Sequence, residues 1–219
     1  MSKIKFYALA AAIFLLSIAG ISAQLKFYIP ETEMNAYSSK YGDMAVRRAE
    51  GLLTLMDSII DEKEDVKVIK VNSFYNQIPY KSDMKTWGKS DYWASRLEFL
   101  GVGQGDCEDY AVSKFLTLLQ LGVPEEKLFL TYVKAKGYAD EAHMVVTYYK
   151  KKGTVPFVLD NYIKKIMPAT QRKDLFPVYS FTANDLFLQK QKGLGKRVDP
   201  SQSKNVSKLK SVDLEIMKR

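Results

Sequence analysis

A single cysteine, Cys107, is present among the 219 residues of the chain. One cysteine cannot form an internal disulfide, which excludes a small scaffold held together by cross-links. The chain must therefore be stabilised by a packed apolar core, and its length suits one domain with such a core. The cysteine is then a packing residue, an intermolecular link or a reactive thiol, and the residues around it bear on this choice.

The segment that follows Cys107 carries the clearest helical pattern in the chain. Apolar residues recur on one face between positions 111 and 119, Gly122 stands where a left-handed C-terminal residue belongs, and a proline follows two residues later. Asp106 then falls at the N-cap, which places Cys107 in the first turn. The free N–H groups and the macrodipole at a helix N-terminus lower the pKa of a thiol there, so this position favours a reactive cysteine.

Further helices and strands are predicted on both sides of this segment. Helical spacing is present at residues 43–60 and 68–75. Three runs rich in Val, Tyr and Phe predict strands at 128–135, 143–149 and 157–159. Strands of consecutive hairpins lie side by side, so His143 and Asp160 are predicted to be neighbours. The pattern predicts an α+β fold, in which the helix bearing Cys107 packs on an antiparallel sheet bearing the other two residues.

The N-terminal segment has the pattern of an export signal. Lys3 and Lys5 precede an apolar run at 6–21, and Ile21-Ser22-Ala23 forms a small-residue cleavage site. We therefore predict a signal peptide at residues 1–23 and a mature chain that begins near Gln24. The alternative is an uncleaved membrane anchor, although the run is shorter than the roughly 20 residues of a comfortable span.

The net charge of +8 is concentrated at the end of the chain. Residues 24–189 contain 22 basic and 22 acidic residues, whereas residues 190–219 contain 9 basic and 3 acidic ones. We predict one neutral domain at 24–189 and a basic, flexible tail at 190–219, because the tail has few large apolar residues. The tail either solubilises the chain or attracts it to anionic envelope surfaces. Nucleic-acid binding is not expected without aromatic residues interleaved with the basic ones.

The types and order of three residues predict thiol chemistry. Cys107 is followed after 36 residues by His143, the only histidine, and after a further 17 by Asp160. The imidazole would take the thiol proton and return it to the leaving amine, and the carboxylate would accept the other ring N–H. The backbone N–H of Cys107 is a natural oxyanion donor. We predict the side chain of Asn76 as the second donor, with Gln104 as the alternative.

Three acids crowd the predicted nucleophile. Asp106, Glu108 and Asp109 would raise the pKa of the Cys107 thiol by like-charge repulsion. A bound cation would offset this effect, and calcium accepts carboxylate oxygens, whereas zinc would require further Cys or His ligands. The alternative is that Asp106 and Asp109 only cap the helix, with Glu108 solvated in its first turn.

The chain closely resembles the bacterial transglutaminase-like cysteine proteinases of the LapG type from about Val71 to Leu188. The element Gly-Asp-Cys-Glu-Asp-Tyr, with Trp-Gly upstream and His-Met-Val downstream, is specific for this family. The resemblance rests on residues 72–76, 86–94, 105–111, 142–145, 159–161, 172–175 and 177–180.

The resemblance implies a papain/transglutaminase-like fold and a periplasmic endopeptidase. It implies that Cys107, His143 and Asp160 form a catalytic triad and that Asp106 and Glu108 bind the Ca²⁺ needed for activity. The substrates of such enzymes are the N-terminal regions of large surface adhesins, cut at a paired-alanine site, so the activity controls adhesion and biofilm release. Their regulator is an inner-membrane cyclic-di-GMP receptor whose periplasmic domain sequesters the protease.

Two other functions agree with the same residues. A transglutaminase-type acyl transferase would pass the thioester intermediate to an amine, and triad chemistry alone does not choose between an amine and water. A catalytically silent calcium-binding adaptor that docks on a membrane receptor would not need an intact triad.

Overall fold

The structure is a computed structural model that describes residues 27–137, 142–190 and 193–212. Within these residues a helical N-terminal half precedes a sheet. Its α-helices are α1 (Glu31–Tyr41), α2 (Asp43–Ile59), α3 (Glu64–Tyr75), α4 (Asp83–Thr86), α5 (Arg96–Val102), α6 (Cys107–Gln120) and α7 (Lys204–Ser211). Its strands are β1 (Leu128–Ala135), β2 (Ala142–Tyr148), β3 (Phe157–Leu159), β4 (Met167–Pro168), β5 (Leu175–Phe181), β6 (Leu186–Lys190) and β7 (Gly193–Val198).

The strands form one antiparallel sheet in the order β4-β3-β2-β1-β5-β6-β7. The local hairpins β1-β2 and β2-β3 form its centre, and β5 pairs with the other side of β1, with a register shift between Tyr132 and Val133. Helix α6 packs on β2 and β1 and also contacts α3 and α5. The predicted α+β fold, with the cysteine helix on an antiparallel sheet, is confirmed.

Helix α6 lies at the centre of the hydrophobic core. Val112, Phe115 and Leu118 are almost completely buried, in one cluster with Leu130 and Val146 of the sheet. Full burial of an apolar side chain of this size contributes roughly 1.5–3 kcal/mol. This packing fixes the position of the N-terminal end of the helix relative to the sheet.

The helix and strand predictions near the cysteine agree with the structure. Helix α6 begins at Cys107, with Asp106 as its N-cap residue, and Gly122 has the predicted positive φ of 80° after its C-terminal end. Strands β1 and β3 have the predicted bounds, and β2 begins and ends one residue earlier than predicted.

The prediction of a flexible tail beginning at residue 190 is wrong for residues 193–212. Strand β7 pairs with β6, which itself crosses the predicted boundary, and α7 packs on the domain. Val206, Leu209 and Val212 are buried in the main core cluster. The low apolar content of this segment was misleading because its apolar residues recur every three positions and so lie on one helical face.

The predicted signal peptide lies outside the described residues, as do residues 191–192 and 213–219. Among the residues that the structure does describe, no helix has both the length and the apolar character needed to span a membrane.

Candidate active site

The start of α6 is fixed by contacts of Gly105 and Asp109. A Cβ atom on Gly105 would lie 2.3 Å from Oδ2 of Asp109, so the chain can pass this carboxylate only without a side chain. The buried Asp109 carboxylate accepts hydrogen bonds from the N–H groups of Asp106, at 3.3 Å, and Ala94, at 2.9 Å. These bonds hold the N-cap residue in place and leave Cys107 as the first residue of the helix.

Cys107 and His143 line the same cleft. Its volume is about 420 Å³. The cleft lies between the start of α6, the segment before α5, strands β1, β2 and β5, and helix α7; its walls include Asp91, Trp93, Tyr132, Tyr179 and Asn205. The predicted nucleophile and base therefore line one cleft.

His143 and Asp160 are in direct contact, as predicted from the strand order. Nε2 of His143 lies 2.8 Å from Oδ1 of Asp160, and both side chains are at most 1% exposed. The Tyr162 ring stacks on the imidazole at 4.0 Å between centroids and 3° between planes. Nδ1 of His143 is buried and has no hydrogen-bond partner among the described residues. This nitrogen is therefore the one available to accept a proton from the thiol.

Arg172 and Tyr162 complete the surroundings of the Asp160 carboxylate. Oδ2 accepts a hydrogen bond from Arg172 at 2.6 Å, and Oδ1 accepts one from the Tyr162 N–H at 3.0 Å. Burial raises the pKa of Asp160, but the bonds and charges of His143 and Arg172 and the Tyr162 N–H outweigh burial and hold the pKa at about 2. The carboxylate is thus ionised at neutral pH and can stabilise an imidazolium.

The prediction of Asn76 as an oxyanion donor is wrong. Its side chain is buried, and its Nδ2 donates to the carbonyl of Asp160 at 2.8 Å and to Oδ1 of Asn72 at 3.2 Å. Both amide hydrogens are used there, and Asn76 does not line the cleft. Gln104, the alternative, is not among the described residues that line the cleft either. The N–H of Cys107 remains a predicted donor, because an N–H in the first turn has no partner within its own helix.

The thiol is in contact with an acid. Sγ of Cys107 donates to Oε2 of Glu108 at 3.0 Å. The pKa of the thiol is raised well above its usual value, first by burial and then by the charge and hydrogen bond of Glu108. Burial, followed by the charge of Glu108, also raises the pKa of Asp106 to about 10. The acids thus oppose formation of the thiolate, as the sequence predicts.

Two further acids, Asp83 and Asp91, belong to this cluster and were missed in the sequence. Carboxylate oxygens of Asp83, Asp91 and Glu108 lie within 4.8 Å of one another, and so do those of Asp83, Asp106 and Asp109. Oδ1 of Asp83 and Oδ1 of Asp106 are buried and have no hydrogen-bond partner in the described structure. A set of carboxylate oxygens with unused lone pairs fits calcium.

The C-terminal helix α7 forms one wall of the cleft. Asn205 donates a hydrogen bond to the Tyr179 hydroxyl at 2.8 Å. The ammonium of Lys208 forms an ion pair with Asp91 and lies 5.6 Å from the centroid of a Trp93 ring. A segment that the sequence predicted to be a flexible tail thus contacts both the cleft and the acidic cluster.

A helix-borne thiol, a buried His–Asp pair and an antiparallel sheet are the parts of a papain-like or transglutaminase-like thiol enzyme. The family model described as bacterial transglutaminase-like cysteine proteinase BTLCP matches residues 52–196. The match covers more than half of the chain, so the chain belongs to this family of cysteine proteases.

Solved structures of Legionella pneumophila LapG are similar to this chain. The EGTA-treated form is 34% identical with a TM-score of 0.70, and the match covers 84% of this chain and 97% of that chain. The calcium-bound form is 37% identical with a TM-score of 0.65, and the match covers 75% and 90%. No curated protein sequence matches the chain.

Proposed function

We propose that the chain is a calcium-dependent periplasmic cysteine endopeptidase that cleaves the N-terminal region of a large surface adhesin. The observation that carries this proposal is the shared cleft of Cys107 and His143, with the second ring nitrogen of His143 bonded to Asp160. Family membership favours hydrolysis as the outcome. Cleavage of the adhesin would release it from the cell and so control adhesion and biofilm dispersal.

The three residues perform the reaction as follows. Nδ1 of His143 takes the proton of Cys107, and the thiolate attacks the peptide carbonyl while the Cys107 N–H donates to the developing oxyanion. The imidazolium then protonates the leaving amine, which leaves a thioester on the enzyme. His143 next deprotonates a water molecule that hydrolyses the thioester, and Sγ recovers the proton. Asp160 remains ionised throughout and stabilises the imidazolium.

Asp106 and Glu108, together with Asp83 and Asp91, would hold the calcium ion. When bound, calcium supplies positive charge beside the thiol, which makes the thiolate easier to form. Without calcium, the Cys107 thiol donates a hydrogen bond to Glu108. As a calcium ligand, Glu108 would no longer compete with His143 for the thiol proton. The calcium-bound form of LapG supports the choice of this ion.

The family resemblance also supports a regulator, an inner-membrane cyclic-di-GMP receptor whose periplasmic domain sequesters the protease.

The two rival functions would use the same residues differently. An acyl transferase would give the thioester to a lysine amine instead of water, and a silent adaptor would use only the acidic cluster and a docking surface.

The proposed substrate is tested by mass spectrometry of surface proteins shed by three strains: wild type, a deletion strain, and the deletion strain carrying Cys107→Ala. We expect one large surface protein to be shed with a new N-terminus in the wild type only. New lysine isopeptide bonds without new termini would indicate the acyl transferase. Identical shed proteins in all three strains would contradict both enzymatic functions.

The proposed location depends on cleavage of the predicted signal at residues 1–23. We expect N-terminal sequencing to find Gln24, or a residue close to it, at the start of the protein from the soluble periplasmic fraction. Membrane-bound protein that begins at Met1 or Ser2 would instead show that the segment is retained as an anchor.

A further inference from the structure

Two buried cations contact Asp160, and the mechanism above uses neither of them directly. Arg172 follows the strand pair β3-β4, and Lys114 lies in α6, the helix that begins with Cys107. Both side chains are almost completely inaccessible to solvent. Burying a charged side chain costs free energy unless the charge is paired and hydrogen-bonded, so the contacts of each cation require an explanation.

Arg172 fixes the orientation of the Asp160 carboxylate. Its Nη2 donates to Oδ2 of Asp160 at 2.6 Å, while Oδ1 faces His143. Asp174 in turn accepts hydrogen bonds from the guanidinium, from Nε at 2.9 Å and from Nη2 at 2.7 Å. A carboxylate bonded at both oxygens cannot rotate away from the imidazole. The direction of the His143 ring is thereby fixed as well.

Lys114 fixes the main chain at the same residue. Its Nζ donates to the Asp160 carbonyl at 3.2 Å and to Oδ1 of Asn76 at 2.8 Å, and Asn76 donates to the same carbonyl. Lys114 follows Cys107 by seven residues, which is about two helical turns. The lysine therefore connects the helix of the nucleophile directly to the backbone of the triad acid.

Burial disfavours the charged form of Lys114. Burial lowers its pKa to about 7, although the negative charge of Asp160 acts in the opposite direction. The folded state thus holds this proton less tightly than the unfolded chain. The free energy of unfolding contributed by Lys114 therefore rises with pH between about 7 and the ordinary lysine value of 10.5. The cost of burying this amino group is offset by its hydrogen bonds, and both of these go to Asp160 and to its partner Asn76.

We propose that Lys114 and Arg172 are positioning residues that together hold Asp160, and through it His143, in register with Cys107. Arg172 fixes the orientation of the Asp160 carboxylate. Lys114 fixes the Asp160 main chain relative to α6, the helix that carries Cys107. The proposal rests on the proposed protease function for its kinetic consequence only. Its structural consequence concerns His143 alone and can be measured without a substrate.

The test uses Lys114→Met and Arg172→Gln, with Lys67→Met as the matched control. Lys67 is also a buried lysine whose Nζ donates to a backbone carbonyl, that of Leu121 at 2.8 Å, but it does not contact the triad. Because His143 is the only histidine, ¹⁵N-histidine labelling reports on this one ring. We expect the Nε2–H signal of the wild type and the control to be strongly shifted downfield. In both test variants it should move upfield or broaden.

The kinetic arm measures cleavage of a fluorogenic peptide with a paired-alanine bond. We expect kcat to fall about 100-fold in both test variants, as for a small misplacement of catalytic groups, with KM unchanged. Lys114→Met leaves Oδ1 of Asn76 without its donor, so its thermal unfolding temperature should fall, and Lys67→Met, which removes a buried lysine hydrogen bond of the same kind, is the matched comparison. An unchanged histidine signal in both variants would overturn the proposal, whereas a wild-type protein that cleaves nothing would contradict only the protease function.

Discussion

Cys107→Ala is expected to abolish cleavage, with a loss in kcat of about 10⁶-fold, and His143→Gln is expected to cause a similar loss. The two residues act as a unit, so the double variant should be no worse than either single one. Asp160→Asn should retain more activity, with a loss of about 10⁴-fold, because the base is mis-oriented and not removed. The measurement is kcat/KM on the purified protein with the fluorogenic peptide.

The fold should survive these changes, which separates a chemical role from a structural one. Cys107 lies at the edge of the core, and its thiol faces acids that disfavour its charge. Gln at position 143 keeps an amide that can donate to Asp160, so the buried carboxylate is not left without its partner. Thermal unfolding should show little change in Cys107→Ala. Cleavage by this variant at the wild-type rate would contradict the assignment of Cys107 as the nucleophile.

Local patterns account for the parts of the site that the sequence predicts correctly. The cysteine helix has a capping residue, an apolar stripe and a left-handed glycine, all of which act within one segment. His143 lies on β2 and Asp160 directly follows β3, the next strand of the hairpin, so their contact follows from chain order. Prediction therefore works where the relevant partners are close in sequence or on adjacent strands.

The parts that were missed depend on packing between distant segments. Lys114 falls beside the apolar stripe of α6, and the pattern alone suggests a solvated position. Helix α6 is instead covered on several sides, by the sheet, α3 and α5, so Ser113, Lys114 and Thr117 are buried as well. The sequence pattern of α6 gives little indication of this burial. A helix at the centre of a domain is covered on all sides, so its polar residues need not face solvent.

Asn76 was wrongly predicted as a site residue, and Asp83 was missed, because both positions depend on packing between distant segments. Asn76 is close to the triad but on the side of the Asp160 carbonyl, and only the packing of α3 against α6 reveals which side it takes. Asp83 lies 23 residues before Asp106, and the contact of its N–H with that carboxylate, at 3.2 Å, brings the two acids together. Neither spacing nor composition indicates such a contact between the starts of α4 and α6.

Calcium removal is expected to stop cleavage and to lower the stability of the protein. A ligand that binds only the folded state at 100 times its Kd stabilises it by about 2.7 kcal/mol, so chelation should lower the Tm by a clearly measurable amount. Asp106→Asn, Glu108→Gln and Asp83→Asn should each lose calcium binding in calorimetry. Asp65→Asn is the control, because Asp65 is an exposed acid whose ion pair with Lys150 lies outside the cluster.

The raised pKa values of the acids predict how the stability of the calcium-free protein changes with pH. In the calcium-free protein the pKa of Asp106 is raised to about 10 and that of Asp109 to about 8, in both cases first by burial. Carboxyls that are protonated in the folded state but ionised in the unfolded state stabilise the fold fully below their ordinary pKa of 3.8. This stabilisation is lost as pH rises through the folded values, so the calcium-free protein should become less stable towards alkaline pH.

Calcium should reverse this trend, because it binds the ionised carboxylates and displaces their protons. The increase in Tm on adding calcium should therefore be larger at pH 8 than at pH 5, and calorimetry in buffers of different ionisation enthalpy should detect proton release. Glu108→Gln distinguishes a ligand from a merely repulsive neighbour. A repulsive role predicts faster alkylation of Cys107 and intact cleavage in this variant, whereas a ligand role predicts loss of cleavage. If calorimetry detects no calcium binding and a chelator leaves cleavage unchanged, Asp106 is only the N-cap of α6.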